Sequence, residues 1–215
     1  MTQLIYIADP MCSWCYGFGP ELEALLAAVP EAQMDIIVGG LRAYTTEAMD
    51  DAQKATILGH WQHVAAASGL PFSRAGMAQA GFIYDTEPAC RAVVTSRILA
   101  DDLPPRAKLA VFRAIQHAFY AEGRDVTRTD VLSEVCVTAL NLASGGGYDI
   151  ESFQETMTAY PTSVETRADF EQTQRWGIRG FPALLLVHEG ALHMIASGYA
   201  KTADLLESLR QVQQS

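Results

Sequence analysis

The feature that most restricts what this chain can fold into is a junction near its start. A continuous apolar run, Leu4-Ile5-Tyr6-Ile7, is cut by Asp9-Pro10 and followed at once by Met11-Cys12-Ser13-Trp14-Cys15-Tyr16, where a helical pattern begins. An unbroken apolar run of this length reads as a strand covered on both faces, and the Asp-Pro pair ends it. Strand end and helix start therefore meet at two thiols. The first N–H groups of a helix lack intrahelical partners and, with the helix dipole, favour negative charge. A thiolate at Cys12 is expected to be stabilised there, and the thiolate is the attacking species in sulfur chemistry. Cys15, one turn further on, is expected on the same side of the helix, able to attack a mixed disulfide formed at Cys12. The pair reads as a dithiol–disulfide switch, and its place between strand and helix carries more of that reading than its spacing does. Half of a zinc site is the competing use. Neither other cysteine nor any histidine stands at ligand spacing with the pair, so no metal is expected.

Beyond the thiols the helical pattern meets Gly17, Gly19 and Pro20, which predicts a kink near Phe18, and Leu22, Leu25, Leu26 and Val29 then recur at helical spacing. Met34–Val38 supplies a second short strand closed by Gly39-Gly40, giving a βαβ unit with a right-handed crossover. From Thr45 to Tyr160 the pattern is helix after helix. Helices are predicted over Glu47–Ser68, Pro88–Ala100 and Arg106–Glu122, and a fourth capped by Thr129, before Ser144-Gly145-Gly146-Gly147 breaks the chain. That glycine run lacks the Lys and Ser/Thr of a phosphate cradle and reads as a plain loop. Ser163–Trp176 is a further helix. Ala183–Val187 and Leu192–Ala196 then read as an antiparallel hairpin around Glu189-Gly190, and a closing helix from Thr202 puts Leu205, Leu206, Leu209 and Val212 on one face. The expected fold is α/β with a large all-helical insertion: a discontinuous unit from 1–44 and 161–215, interrupted by a helical domain over 45–160.

At this point the chain resembles the thioredoxin superfamily, and within it the DsbA-like branch, in particular the FrnE-type predicted cytoplasmic protein-disulfide isomerases. The resemblance rests on Asp9-Pro10-Met11-Cys12-Ser13-Trp14-Cys15-Tyr16, on Pro20 inside the following helix, and on Gly177-Ile178-Arg179-Gly180-Phe181-Pro182 leading into a strand. It covers essentially the full length and implies a thioredoxin-like fold with a cis-proline at Pro182 packed beside the cysteine pair. A cis bond costs little before proline, and it would turn the chain so that the Phe181 backbone could meet an extended substrate. The resemblance implies a thiol–disulfide oxidoreductase or isomerase with Cys12 and Cys15 catalytic and Ser13, Trp14, Phe181 and Pro182 contacting substrate. The Ser-Trp dipeptide departs from the Pro-aromatic pair of many relatives, and Phe181 is bulkier than the Thr or Val of exported ones.

Composition narrows the partners. A net charge of −10 with no basic cluster disfavours nucleic acid. No apolar stretch is long enough to span a membrane. The opening Met-Thr-Gln enters the first strand directly, with no basic n-region or long h-region, so a cytoplasmic protein is expected, and in a reducing compartment a cysteine pair is catalytic or metal-binding before it is a staple. Partners are expected to be protein or small-thiol disulfides, with no resident cofactor and glutathione as a candidate co-substrate.

Other candidates read more plainly. Cys90 and Cys136 sit among apolar residues at helical spacing and are expected in the core. His60 and His63 flank Trp61 and read as a polar helix face, and His117 lies opposite the Phe112, Ile115, Phe119 stripe. Trp14 is expected to be half-exposed; Tyr16 and Phe18 either extend that surface or pack inside. Two rival functions use the same residues. One is a glutathione-dependent isomerase or transferase resembling the kappa-class and hydroxychromene-carboxylate enzymes, which typically have Ser in place of Cys12. The other is a non-catalytic redox sensor whose Cys12–Cys15 bond gates a partner.

Overall fold

A computed structural model describes residues 2–214. The elements are β1 (Gln3–Ala8), α1 (Ser13–Ala28), β2 (Gln33–Val38), α2 (Asp51–Ser68), α3 (Ala75–Ala78), α4 (Glu87–Leu99), α5 (Pro105–Tyr120), α6 (Thr129–Ser144), α7 (Ile150–Thr158), α8 (Tyr160–Arg175), β3 (Ala183–His188), β4 (Ala191–Ser197) and α9 (Thr202–Gln213). The sheet order is β2-β1-β3-β4. β1 pairs in parallel with β2, and β3 runs antiparallel to both β1 and β4. This is a thioredoxin fold carrying a helical insertion.

The strands alternate as their sequence requires. Leu4, Tyr6 and Ala8 of β1 enter the main core, whereas Ile5 and Ile7 join Ala183 and Leu185 in a small second cluster on the opposite face. Trp176, Ile178 and Phe181 pack over that second cluster, so β1 is apolar on both sides because it is covered on both sides. The main core is continuous from the sheet through α1 into α4, α5 and α6.

Helix α1 is unbroken through Pro20. Its glycines serve packing: a Cβ on Gly17 would lie 2.6 Å from Val64 Cγ1, so α2 approaches α1 as closely as it does only because that side chain is missing. Helix α2 starts at Asp51, later than the expected Glu47. Asp50 caps it, its carboxylate accepting from Gln53 N at 2.8 Å while Gln53 Oε1 accepts from Asp50 N at 2.9 Å. Thr129 opens α6 as its first residue and does not cap it; Arg128 occupies the cap position. Helix α8 begins at Tyr160, three residues before the expected Ser163, because Pro161 is accommodated in its first turn. The short helices α3 and α7 carry only two buried residues each and leave no long periodic signal. No described helix is long and apolar enough to cross a membrane.

The insertion is joined to the sheet by a partly buried ion pair. Arg97 of α4 donates to both carboxylate oxygens of Asp169 in α8, at 2.9 and 3.1 Å, and to the Ile36 carbonyl of β2 at 3.1 Å. Asp169 also accepts from Val38 N at 3.1 Å.

Candidate active site

The β1–α1 turn is built around Asp9. Its Oδ1 accepts from Met11 N at 2.8 Å and its Oδ2 from Leu41 N at 2.6 Å, while its carbonyl accepts from Cys12 N at 3.0 Å. One fully buried carboxylate thus fixes the chain before the thiols to the loop after β2. Burial pushes its pKa up, opposed by hydrogen bonds from Thr86, the Met11 and Leu41 amides and Cys90.

Met11 is held from the other side. Its carbonyl accepts hydrogen bonds from both Tyr84 OH and Tyr120 OH, each at 2.6 Å. Tyr120 stacks on Tyr16 with ring centroids 4.9 Å apart and meets Trp61 at 5.0 Å and Phe72 at 5.2 Å, an aromatic cluster that docks α2 and α5 on α1. Tyr16 and Phe18 are therefore interior side chains and do not extend a substrate surface. Burial raises the Tyr120 pKa and takes that of Tyr84 above its usual range, so both hydroxyls remain donors.

The two thiols differ. Cys12 occupies the N-cap position of α1 and retains 6% of its surface, whereas Cys15 retains none. Burial, then the hydrogen bond and charge of Cys12, push the Cys15 thiol well above its usual pKa. Cys15 therefore keeps its proton at neutral pH. The Cys12 thiol donates to the Phe181 carbonyl, Sγ to O 3.6 Å, and the Phe181–Pro182 peptide is cis. Pro182 is tied down through its own carbonyl, which accepts from Gly198 N at 2.7 Å. Gly39 explains how Phe181 reaches this position: a Cβ there would lie 2.1 Å from the Phe181 ring.

Trp14 is 36% exposed and packs against Tyr199, centroids 5.7 Å apart. Tyr199 and Lys201 both donate to Glu21 Oε1, at 3.2 and 3.0 Å, and Glu21 Oε2 accepts from Thr202 N at 2.9 Å and Thr202 Oγ1 at 2.6 Å. Those donors, Thr202 first, hold the Glu21 carboxyl at about 2.

A cleft of about 280 Å³ opens at Cys12. Ser13, Trp14, Gly180 and Phe181 form one side, and Ile57, His60 and Trp61 of α2 face them, with Leu41 and Arg42 from the loop after β2. The structure thus gathers Cys12, Cys15, Ser13, Trp14, Phe181 and Pro182 at one place. It adds Asp9, Arg42, His60, Trp61, Tyr84 and Tyr120. Of these, the sequence names Asp9 only as the strand end and the first residue of the thiol motif, and His60 and Trp61 only as part of a polar helix face; Arg42, Tyr84 and Tyr120 carry no sequence signal. Cys90 and Cys136 are fully buried, with the Cys90 thiol 3.5 Å from Asp9 Oδ2. His117 is solvent-facing. No group of three or more His, Cys, Asp or Glu side chains among the described residues could hold a metal.

A thiol pair at the end of the central parallel strand, facing a cis-proline loop, defines a thioredoxin-type dithiol protein. Solved structures narrow the class. A candidate protein disulfide isomerase from Nitrosomonas europaea is 33% identical with a TM-score of 0.85, over 99% of this chain and 98% of that one. The cytosolic disulfide reductase DsbM from Pseudomonas aeruginosa is 25% identical with a TM-score of 0.77, over 99% and 100% of the two chains, and has also been solved with GSH. A 2-hydroxychromene-2-carboxylate isomerase shares the fold at 12% identity and a TM-score of 0.62, over 99% and 94%. No protein-family profile and no curated sequence matches the chain. The chain belongs to the DsbA-like disulfide oxidoreductases of the thioredoxin fold.

Proposed function

We propose that the protein is a cytoplasmic thiol–disulfide oxidoreductase or isomerase working through a Cys12-Ser13-Trp14-Cys15 couple. The observation that carries this reading is the asymmetry of the pair: Cys12 lines a cleft and keeps 6% of its surface, whereas Cys15 is fully buried and does not reach the cleft. In the reducing direction Cys12 as thiolate attacks one sulfur of a substrate disulfide, forming a mixed disulfide and releasing the other sulfur as a thiolate, which takes a proton from solvent. Cys15 then attacks Cys12 Sγ, giving its proton to the departing substrate sulfur and closing the internal disulfide. Two electrons pass from the protein to the substrate. In the oxidising direction the same steps run backwards.

Asp9 and the two tyrosines hold the Met11–Cys12 turn during exchange, and the helical domain over 45–160 supplies the far wall of the cleft. Ser13, Trp14, Phe181 and Pro182 contact substrate; an extended chain would replace the Cys12 thiol at the Phe181 carbonyl. No resident cofactor is needed, and glutathione serves as the small-thiol co-substrate. The cytosolic reductase from Pseudomonas aeruginosa supports both that choice and the cytoplasmic placement. The test is insulin reduction with a dithiol donor. Cys12→Ser is expected to abolish it, and activity equal to wild type would remove Cys12 from the mechanism.

A glutathione-dependent isomerase or transferase would use the same cleft, and the fold shared with the hydroxychromene-carboxylate isomerase keeps that reading in view. Such a reaction needs no second thiol. Conjugating turnover that survives Cys15→Ser, with no disulfide exchange, would establish it in place of the redox reading.

A further inference from the structure

We propose that Arg42, with His60 beside it, is the anion-recognition end of the cleft at Cys12, selecting small thiols and disulfides that carry a carboxylate. This deepens the redox reading above and rests on it.

The cleft is mostly apolar: Trp14, Leu41, Ile57, Trp61 and Phe181 line it. The basic groups on its wall are Arg42 and His60, both facing solvent. Neither side chain makes a hydrogen bond or ion pair among the described residues, in a chain whose net charge is −10. An unpaired guanidinium on an otherwise apolar wall is a site for a planar anion, which it can grip with two parallel N–H donors.

What separates Arg42 from an ordinary surface arginine is how it is held. Its Cζ lies 5.3 Å from the centroid of the Tyr84 ring, a cation–π contact. The hydroxyl of that same ring is bonded at 2.6 Å to the Met11 carbonyl, one residue before the nucleophile. The Arg42 amide is fixed as well, donating to Thr86 Oγ1 at 3.1 Å. Charge and sulfur are thus linked by a short chain of contacts, Arg42 to Tyr84 to Met11 to Cys12, so the spacing between an anion on Arg42 and a sulfur at Cys12 is built into the fold. A second cleft, of about 290 Å³, shares Arg42, Ile57, His60 and Tyr84 with the first and is lined further by Thr45, Gln53 and one carboxylate, Glu47, giving the remainder of a peptide-like thiol room to lie.

The step this recognition would serve is reduction of the oxidised protein. A glutathione thiolate, its carboxylate on Arg42, attacks Cys12 Sγ; the Cys12–Cys15 bond breaks and Cys15 leaves and takes up a proton. A second glutathione thiolate attacks the glutathione sulfur of the mixed disulfide, releasing glutathione disulfide and the Cys12 thiolate. Two glutathione thiols are oxidised and one protein disulfide is reduced.

The test measures the rate at which oxidised protein is reduced by glutathione, by its dimethyl ester and by uncharged 2-mercaptoethanol, followed by tryptophan fluorescence. In Arg42→Gln the ratio of the glutathione rate constant to the 2-mercaptoethanol rate constant is expected to fall about tenfold, the factor carried by one charge-assisted hydrogen bond. The ratio cancels any general effect of the substitution on the thiols. Arg42→Lys is expected to keep part of the discrimination, because it keeps the charge and loses the fork. Esterified glutathione on wild type should behave like glutathione on Arg42→Gln. A ratio unchanged in Arg42→Gln, or an ester as fast as the parent thiol, overturns the proposal. So does an unchanged ratio accompanied by slower reduction of acidic peptide disulfides, which would give Arg42 to protein substrates. An oxidised wild type that no thiol reduces would overturn this inference together with the redox reading of Cys12 and Cys15; a loss of discrimination alone leaves that reading standing.

Discussion

Cys12 is approached from two sides that work by different means. From the sheet side it is placed by backbone: the end of β1, the first turn of α1, the Asp9 carbonyl and the Phe181 carbonyl. From the helical block it is placed by side chains: Tyr84 and Tyr120 on the Met11 carbonyl, with Trp61 and His60 across the cleft. Backbone placement fixes where a sulfur sits. Side-chain placement leaves the wall of the cleft open to change while the fold stays the same, which is how one scaffold can serve different thiols.

The first way to break this contrast is to compare cysteines across it. Cys12→Ser should lower insulin reduction by more than about a thousandfold, since no other group can form the mixed disulfide. Cys136→Ser, in the block, should leave the rate alone and show itself only in stability: its thiol is fully buried, with a pKa pushed up to about 12 by that burial. A rate loss in Cys136→Ser would mean that the block takes part in the chemistry directly.

Next is the joint between the regions. Arg97→Ala leaves Asp169 without its guanidinium partner and should cost about 2–3 kcal/mol in urea unfolding, below the fully buried value because 27% of the Arg97 side chain is exposed. A cost near zero would show that the block docks by apolar packing alone.

Smaller again is the tyrosine pair. Tyr84→Phe or Tyr120→Phe alone should cost less than about 1.5 kcal/mol, because the other hydroxyl still serves the Met11 carbonyl, whereas the double variant should exceed the sum of the singles. Additive losses would mean that the two hydroxyls do not share one acceptor.

The smallest effect belongs to the sheet side. Glu21 has a folded pKa lowered from 4.5 to about 2, so its contribution is present above the unfolded value and is lost as pH falls from about 4.5 toward about 2. Glu21→Gln should lower stability at neutral pH, modestly because solvent screens the site, and flatten the acid limb over that window, so that variant and wild type converge near pH 2. An unchanged acid limb would contradict the Thr202 and Lys201 hydrogen bonds.

Sequence pattern reached the two sides unequally, for the same reason. The strands, α1, the hairpin and α9 follow from local periodicity, and Cys12, Cys15 and Phe181-Pro182 lie at their ends. Tyr84 and Tyr120 look like any aromatic residues in the sequence, and Arg42 like a loop charge, because their roles depend on a contact 73 residues away for Tyr84 and 109 for Tyr120, and on a ring 42 positions off for the arginine. Short α7 leaves no periodic stripe to read, because Phe153 and Met157 are its only buried residues. In sequence Gly17 belongs to a predicted kink and Gly39 to a strand end; in the structure they admit Val64 and the Phe181 ring. Long-range packing of that kind leaves no periodic trace.

The most direct test of the account is to trap the intermediate. Cys15→Ser incubated with glutathione disulfide, and separately with an oxidised peptide, should accumulate one adduct per chain, mapped by mass spectrometry to Cys12. The Cys12→Ser protein should accumulate none. An adduct on Cys15, Cys90 or Cys136, or no adduct on Cys12 once Cys15 is gone, would contradict the assignment of an accessible nucleophile and a buried resolving thiol.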